Sequence, residues 1–499
     1  MSDAGIDWIE RFGQLSLNVR NFVDGRWASV GGPALDKYSP RDGTLLCRFG
    51  AGEPVEVDAA VAAARRAVED GRWSRLPLQR RKDVLYKLAS LIEARLDELA
   101  LLESLDVGKP ISDALKFDVP TAAATIRFCA EAADKLYGKV YAVDRSSLSY
   151  QLLRPVGVVA GIIGWNFPLL LAATKIGPAL AAGNTLVLKP SEFTSFSASS
   201  LAELAVEAGV PEGVLNVIHG DRELGAALAH HRDVDLLTFT GSSLTGKKLL
   251  MAAGASNMKQ TILECGGKAP NIVFDDCPDL DAVADGIAAR AFWNQGQVCT
   301  ASSRLLVQDG VKEELQRRVI DKAAALRSGD PLLPETTFGA LVSLEHRKKV
   351  LAYVDAGERA GARKVFHSDC PPPHEEGFYV PPVIFDQVSS GQKIAQEEIF
   401  GPVLSILSFR DEAEAIQIAN DTIYGLSAII WTRDLGRAHR VVQQVEAGWI
   451  VVNATRNPVG GPVEGGLPAG GHKQSGIGVE GGLEGIEAYM TKTAVQIFV

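Results

Sequence analysis

VGVVAGIIGWNFPLLLAATKIGPALAAGNTLVLKP, residues 156–190, carries the reading of the fold. The apolar run VGVVAGII (156–163) reads as a buried strand. PLLLAATKIGPALAAG (168–183) reads as a helix, and TLVLKP (185–190) as a second strand. A strand, a crossover helix and a strand are the repeating unit of a parallel sheet. The alternation continues with a helix at 195–209, strands at 214–220 and 234–242, and a helix at 243–254. Strands this apolar need cover on both faces, which defines an α/β architecture of nucleotide-binding type. Ligands on such sheets sit at the carboxyl ends of the strands.

Outward from this block the pattern repeats. APNIVF (269–274), RLLVQ (304–308), VLSILSF (403–409), SAIIWT (427–432) and GWIVVNA (448–454) read as strands, with a helix around 279–293. They imply a second α/β domain. Before the first block, residues 53–70, 78–107 and 120–137 have helical spacing, after a short β-like stretch at FVDGRWASV. SLSYQLLRP before the first strand reads as extended. Residues 457–486 are Gly-rich and read as loop, and loops over rigid sheets often carry function.

Composition narrows the function. The chain has 499 residues, enough for two or three packed units. Its formal net charge is −10, which disfavours nucleic acid as a partner. The run Arg80-Arg81-Lys82 reads as a solvated helix face. No apolar run of spanning length is present, and the first twenty residues do not read as a signal peptide, so no membrane role is expected. Six widely spaced cysteines, with no CxxC pair, point to neither a disulfide framework nor a metal site. A reducing cytoplasm fits, and there a cysteine stays free to react.

Three stretches carry chemistry. In NQGQVCTA (294–301), Cys299 follows a polar, turn-like segment; it is either a small buried hydrophobe or a nucleophile. In GWNFP (164–168), Asn166 stands between a strand and a helix, where its amide could cap the helix or donate to a developing oxyanion. In LECGGKAP (263–270), Glu264 ends an apolar stretch before two glycines; it is a surface acid or a carboxylate that activates water.

The ordered set GWNFP, KPSE (189–192), FTGS (239–242), LECGGK, GQVCTA, EEIFGPV (397–403) and GGHKQSG (470–476) resembles the NAD(P)-dependent aldehyde dehydrogenases along essentially the whole chain. The resemblance implies roles. Cys299 is the nucleophile, its backbone N–H and the Asn166 amide form the oxyanion hole, and Glu264 is the general base. Glu480 and Lys175 belong to a supporting proton path. Ile162, Gly164, Trp165, Lys189, Ser191 and Glu192 contact the cofactor, Gly241 and Ser242 its pyrophosphate, and Glu398 and Phe400 its nicotinamide end. A carboxylate at Glu192 would bind ribose hydroxyls and repel a 2′-phosphate, so NAD is favoured over NADP.

The implied fold has a Rossmann-like cofactor domain (1–137 and 155–265), an α/β catalytic domain (266–484) and a small β oligomerisation element (138–154 and 485–499). A homotetramer or dimer follows from the same resemblance, since exposed edge strands of this sort want a partner.

Departures from the family pattern bear on the substrate. Gly164, Cys265, Ala469, Val479 and Thr174 replace commoner residues, and the loop 455–466 is longer. Thr174, with the small residues Thr121 and Ala122–Ala124, suggests a wide entrance for a bulky or aromatic aldehyde. Alternatively, the longer loop refills that space. GQVCTA and SNMK also resemble aminoaldehyde-oxidising members. A non-catalytic member of the fold and a thiol esterase are the readings from other classes.

Overall fold

The computed structural model describes residues 6–143, 146–369, 371–453 and 466–498. Cys370 and all but Gly466 of the 455–466 loop lie outside those residues.

Five parallel strands form the centre of the first sheet, in the order Leu215–Val217, Thr185–Lys189, Val158–Ile162, Leu236–Thr240 and Gln260–Glu264. The central strands are buried along their length, as their unbroken apolar sequence requires. Helices Pro168–Ala181 and Phe196–Ala208 supply crossovers. A hairpin pairs antiparallel at one edge, through Phe22 against Val217. Its turn, Asp24-Gly25, takes positive φ at both residues, the geometry that matches strand twist. At the other edge Gly476–Ile477, from near the end of the chain, pairs with Leu263 and Glu264.

The second sheet orders Arg363–His367, Val383–Asp386, Val403–Phe409, Arg304–Gln308, Pro270–Val273, Ser427–Trp431 and Trp449–Val452. All pairs but the first are parallel. A third, antiparallel sheet joins Val140–Tyr141, Ser147–Pro155 and Met490–Phe498. It exposes Val140, Tyr141, Leu148, Ile497 and Phe498.

Three local readings change. The helix expected over 78–107 breaks at Arg95 (φ −101°, ψ 23°) into Leu78–Ala94 and Leu96–Val107. The first half is amphipathic, whereas Leu99–Val107 is buried on every side, so the chain must turn inward between them. Lys82 is no solvated residue: its ammonium is buried and bonds Asp134. The Gly-rich tail is not all loop, because it contains the Gly476–Ile477 strand and the helix Gly482–Glu487.

Leu188 lies in the middle of the core with no exposed surface. Leu188→Ala should destabilise the fold by about 2–5 kcal/mol, the transfer and cavity terms together. A fall in the urea midpoint measures it, and an unchanged midpoint would mean this strand is not the core.

Candidate active site

The first sheet delivers its functional residues at strand ends. Ile162, Lys189 and Glu264 each close a parallel strand, and Gly241 follows the last residue of another. The second sheet supplies Cys299 from the segment before Arg304–Gln308.

That segment is strained. Asn294, Gln295 and Gly296 all take left-handed backbone conformations, with φ of 49°, 58° and 71°. For non-glycine residues this costs about 1–2 kcal/mol each. A dense set of hydrogen bonds, worth about 1 kcal/mol apiece, offsets the strain. Asn294 Nδ2 donates to the Asn166 carbonyl (3.1 Å) and to the Gln297 carbonyl (3.3 Å). Gln297 Nε2 donates to the Asn294 carbonyl (3.2 Å), and Gln297 Oε1 accepts from Val342 N–H (3.0 Å). Gln295, with its amide turned to match its surroundings, donates to the Ala340 carbonyl and accepts from Gly339 N–H.

Asn166 is buried and does not cap the following helix, whose first flanking residue is Phe167. Its Nδ2 donates instead to the Gln297 carbonyl at 2.9 Å, two residues before Cys299. One amide hydrogen is used there. The second remains for another acceptor, the donor an oxyanion hole needs.

Cys299 is half-buried and free. Burial pushes its thiol up to about 12, and the carboxyls of Glu398 and Glu264 push the same way. The N–H groups of Thr300 and of Cys299 itself point at the sulfur and oppose the shift. The resting sulfur is therefore a neutral thiol. Glu264 also titrates well above the ordinary carboxylate range, through burial first and the charge of Glu480 second. Lys175 and the Gly471 N–H pull it back. Glu264 Oε1 is buried without a hydrogen-bond partner among the described residues. Lys175, fully buried, pairs with Glu480 Oε1. Glu480 is held through its backbone, which exchanges two hydrogen bonds with Ala469 (2.8 and 2.9 Å). These bonds use only the backbone of Ala469, so the alanine there does not disturb them.

The two glycines after Glu264 have steric reasons. A Cβ on Gly266 would lie 2.4 Å from Glu398 Oε2, and one on Gly267 would lie 2.3 Å from the Cys299 carbonyl oxygen. Gly267 N–H also holds Glu398 Oε1 at 2.9 Å. Burial raises the Glu398 carboxyl to about 7.

Around Glu398 stands an aromatic group. Trp165 meets Phe400 edge-on at 5.1 Å and His346 at 5.0 Å. Phe400 takes φ of 58°, and its carbonyl lies 2.7 Å from His346 Nε2. Sequence reading missed His346, which sits on a helix with no motif around it. It also missed the pinning role of Asn294, Gln295 and Gln297, although the turn-like composition of NQGQ was a partial signal.

At the far end of the cleft, Lys189 Nζ bonds the Pro190 carbonyl (3.0 Å) and lies 3.7 Å from Glu192 Oε2. Ser191 Oγ accepts from Phe193 N–H. A Cβ on Gly164 would lie 3.3 Å from the Thr240 carbonyl, a tight approach, whereas one on Gly225 would only touch the Lys189 stem at 3.5 Å. The Gly241 N–H is engaged by the Glu264 carbonyl, and Ser242 caps the helix Ser243–Ser256 through Thr245 N–H. Thr240 Oγ1 is buried and unpartnered among the described residues. A spare buried hydroxyl at Thr240 and the Lys189–Glu192 pair, at the ends of parallel strands, are groups that would suit a dinucleotide.

Beside Glu480 a small pocket of about 20 Å³ is walled by Thr125, Phe128, Thr174, Ile486 and Tyr489 among others. Thr121 and Ala122–Ala124, expected to line the substrate entrance with Thr174, do not reach it; Ala122 and Ala123 are buried in helix packing.

The sequence model of the aldehyde dehydrogenase family matches residues 27–495, and the chain belongs to that family. It is 44% identical to the NADP/NAD-dependent aldehyde dehydrogenase PuuC of Escherichia coli K12, over 97% of this chain and 96% of that one. It is 44% identical to an aminoacetaldehyde dehydrogenase of Pseudomonas aeruginosa, over 93% and 92%. The solved indole-3-acetaldehyde dehydrogenase of P. syringae, in complex with NAD+ and IAA, superposes with a TM-score of 0.96 at 45% identity, covering 99% of both chains.

Gly267→Ala should lower kcat by about tenfold or more, because the methyl displaces the Cys299 backbone rather than a side-chain tip. Steady-state kinetics with a matched circular dichroism spectrum checks this. Full activity would show that the close approach is not needed.

Proposed function

We propose that the protein oxidises an aldehyde to its carboxylic acid with NAD, using Cys299 as nucleophile. The observation that carries this reading is the 2.9 Å bond from Asn166 Nδ2 to the Gln297 carbonyl, which fixes a spare amide hydrogen beside the cysteine loop. The Cys299 sulfur attacks the carbonyl carbon as its proton passes to the Glu264 carboxylate and on towards Glu480, and the carbonyl π pair moves onto oxygen. Asn166 Nδ2 and the Cys299 N–H hold that oxyanion. When bound, NAD+ supplies the hydride acceptor. As the carbonyl re-forms, the hydride departs and the carbon remains on Cys299 as a thioester. Glu264 takes a proton from water, the hydroxide adds, and the thiolate leaves with the acid released. Lys175 and Glu480 relay the proton outward. Ile162, Gly164, Trp165, Lys189, Ser191, Glu192, Gly241 and Ser242 would hold the cofactor, and Glu398 and Phe400 would hold its nicotinamide end. The Glu192 carboxylate favours NAD over NADP.

The substrate is a bulky or aromatic aldehyde. Thr174 puts little bulk into the small pocket beside Glu480, whose walls include Phe128 and Tyr489, and aromatic walls suit an aromatic guest once the pocket widens to admit it. An aminoaldehyde is the second reading, favoured by the named activity of the P. aeruginosa relative and by the Glu480 carboxylate in the cavity wall. Lys175 already neutralises Glu480, which weakens its pull on a cationic substrate. The exposed apolar edge of the third sheet supports a homo-oligomer, and cytoplasmic residence fits the free thiols. Among the described residues no helix is long and apolar enough to cross a membrane.

Reduction of NAD should be fastest with aromatic members of an aldehyde panel. Cys299→Ala should abolish it, and Asn166→Ala should lower kcat by about 10²–10³-fold. Preference for ω-amino aldehydes would overturn the aromatic reading. Turnover by Cys299→Ala would overturn the mechanism.

A further inference from the structure

A buried ammonium holds the turn that carries Glu192. Lys37 comes from the hairpin strand Ala34–Tyr38, which pairs with Leu45–Gly50. Its side chain is buried, and Nζ lies 2.8 Å from Asp106 Oδ1, in the last turn of the helix Leu96–Val107. The same Nζ donates to the Phe193 carbonyl and stands 5.0 Å from the centre of the Phe196 ring. Asp106, fully buried, accepts from Phe196 N–H through Oδ2 at 2.9 Å, where the helix Phe196–Ala208 begins. Phe196 packs with Val19, Phe49 and Leu102 in a small core of its own. Between Lys189 and Phe196 the chain turns on itself. Thr194 N–H and Ser195 Oγ both donate to the Ser191 carbonyl at 3.1 Å, and Phe193 N–H donates to Ser191 Oγ at 3.3 Å. Lys37 and Asp106 grip this turn from outside, one at Phe193 and the other at Phe196.

We infer that Lys37, paired with Asp106, is a positioning residue that sets the turn over residues 190–195 and so aims the Glu192 carboxylate at a ribose of the cofactor. This rests on the reading of Glu192 as a ribose ligand. Lys37 reaches the turn through the Phe193 carbonyl, one residue beyond Glu192, so a shift of that carbonyl passes directly to the Glu192 backbone. Other anchors there are weak. The Phe193 side chain is exposed, and Glu192 Oε2, at 3.7 Å from Lys189 Nζ, is too far for a direct hydrogen bond to fix it. A buried carboxylate such as Asp106 demands a cation, and Lys37 supplies one. The bond to the Phe193 carbonyl is a second use of the same ammonium, and it is the one that reaches the cofactor turn. The strand that carries Lys37 is itself held beyond that residue. Phe378 N–H donates to the Pro40 carbonyl at 2.9 Å, and Arg41 Nε donates to both Asp330 carboxylate oxygens at 2.6 and 2.7 Å. A donor on so fixed a strand holds the turn in one place, which lowers the ordering cost of binding.

Calorimetric titration of the protein with NAD, beside steady-state kinetics, tests the inference. Lys37→Met should raise the Kd for NAD about tenfold and change kcat at saturating NAD by less than about twofold. Lys37→Met combined with Asp106→Asn leaves no unbalanced buried charge and keeps an oxygen for Phe196 N–H, which guards against misfolding of the single variant. The combined variant should bind NAD as weakly as Lys37→Met, because the Phe193 carbonyl still lacks its donor. A role in charge balance alone would instead restore binding there. In a Glu192→Ala background, Lys37→Met should change Kd by less than about twofold, since no carboxylate remains to be aimed. An unchanged Kd in Lys37→Met, recovered binding in the combined variant, or equal losses with and without Glu192 would overturn the inference and leave the ribose reading intact. If Glu192→Ala alone bound NAD normally, the ribose reading would fail and the inference with it.

Discussion

The hydrogen bond from Asn166 Nδ2 to the Gln297 carbonyl joins two sheets at the point where their chemistry meets. Asn166 comes from the carboxyl end of a strand in the first sheet, and Gln297 from the loop entering a strand in the second. The bond is reciprocated, since Asn294 Nδ2 donates back to the Asn166 carbonyl. Much else serves it. The left-handed turn presents the Gln297 carbonyl, Gly339–Ala340 hold the turn, and the rings of Phe167 and Trp293 pack beneath both partners. Glycine at 266 and 267 lets Glu398 and the Cys299 backbone close in from the other side.

Burial gives the site its resting state. Desolvation raises Cys299, Glu264 and Glu398 alike; the carboxyls of Glu398 and Glu264 raise Cys299 further, Glu480 raises Glu264, and the Gly267 N–H, Lys349 and Lys268 pull Glu398 back. As a neutral thiol, the resting sulfur is a poor target for stray electrophiles. The same low-dielectric setting strengthens the donors aimed at a charge that forms during reaction. Within the Lys175–Glu480 pair only the lysine opposes the rise of Glu264, since the charge of Glu480 raises it further.

Much of this was legible in the sequence where the physics is local. Strand Arg304–Gln308 and strand Val403–Phe409 fall on their expected residues, since unbroken apolar runs leave little choice. Asn166, Glu264 and Cys299 stood out through their motifs. What the sequence hid depends on distant neighbours. The break at Arg95 follows from the core that receives Leu99–Val107, not from Arg95 itself. His346 enters the site only because its helix packs beside Phe400. Lys109 and Asp118 look like ordinary polar positions until the fold buries them, with the Lys109 ammonium against the Phe167 ring. The small pocket beside Glu480 takes in Thr174, but from the helix expected beside it come Thr125 and Phe128, about one turn beyond the small residues of the sequence reading.

The central claim is that the aldehyde carbon becomes bonded to Cys299 and waits there for water prepared by Glu264. Intact-protein mass spectrometry of Glu264→Gln, mixed with an accepted aldehyde and NAD, tests it most directly. The account predicts a mass increase equal to one acyl group, absent when Cys299→Ala is added to the same variant. An adduct that persists without the Cys299 sulfur, or normal turnover with no adduct and no slowing, would contradict it.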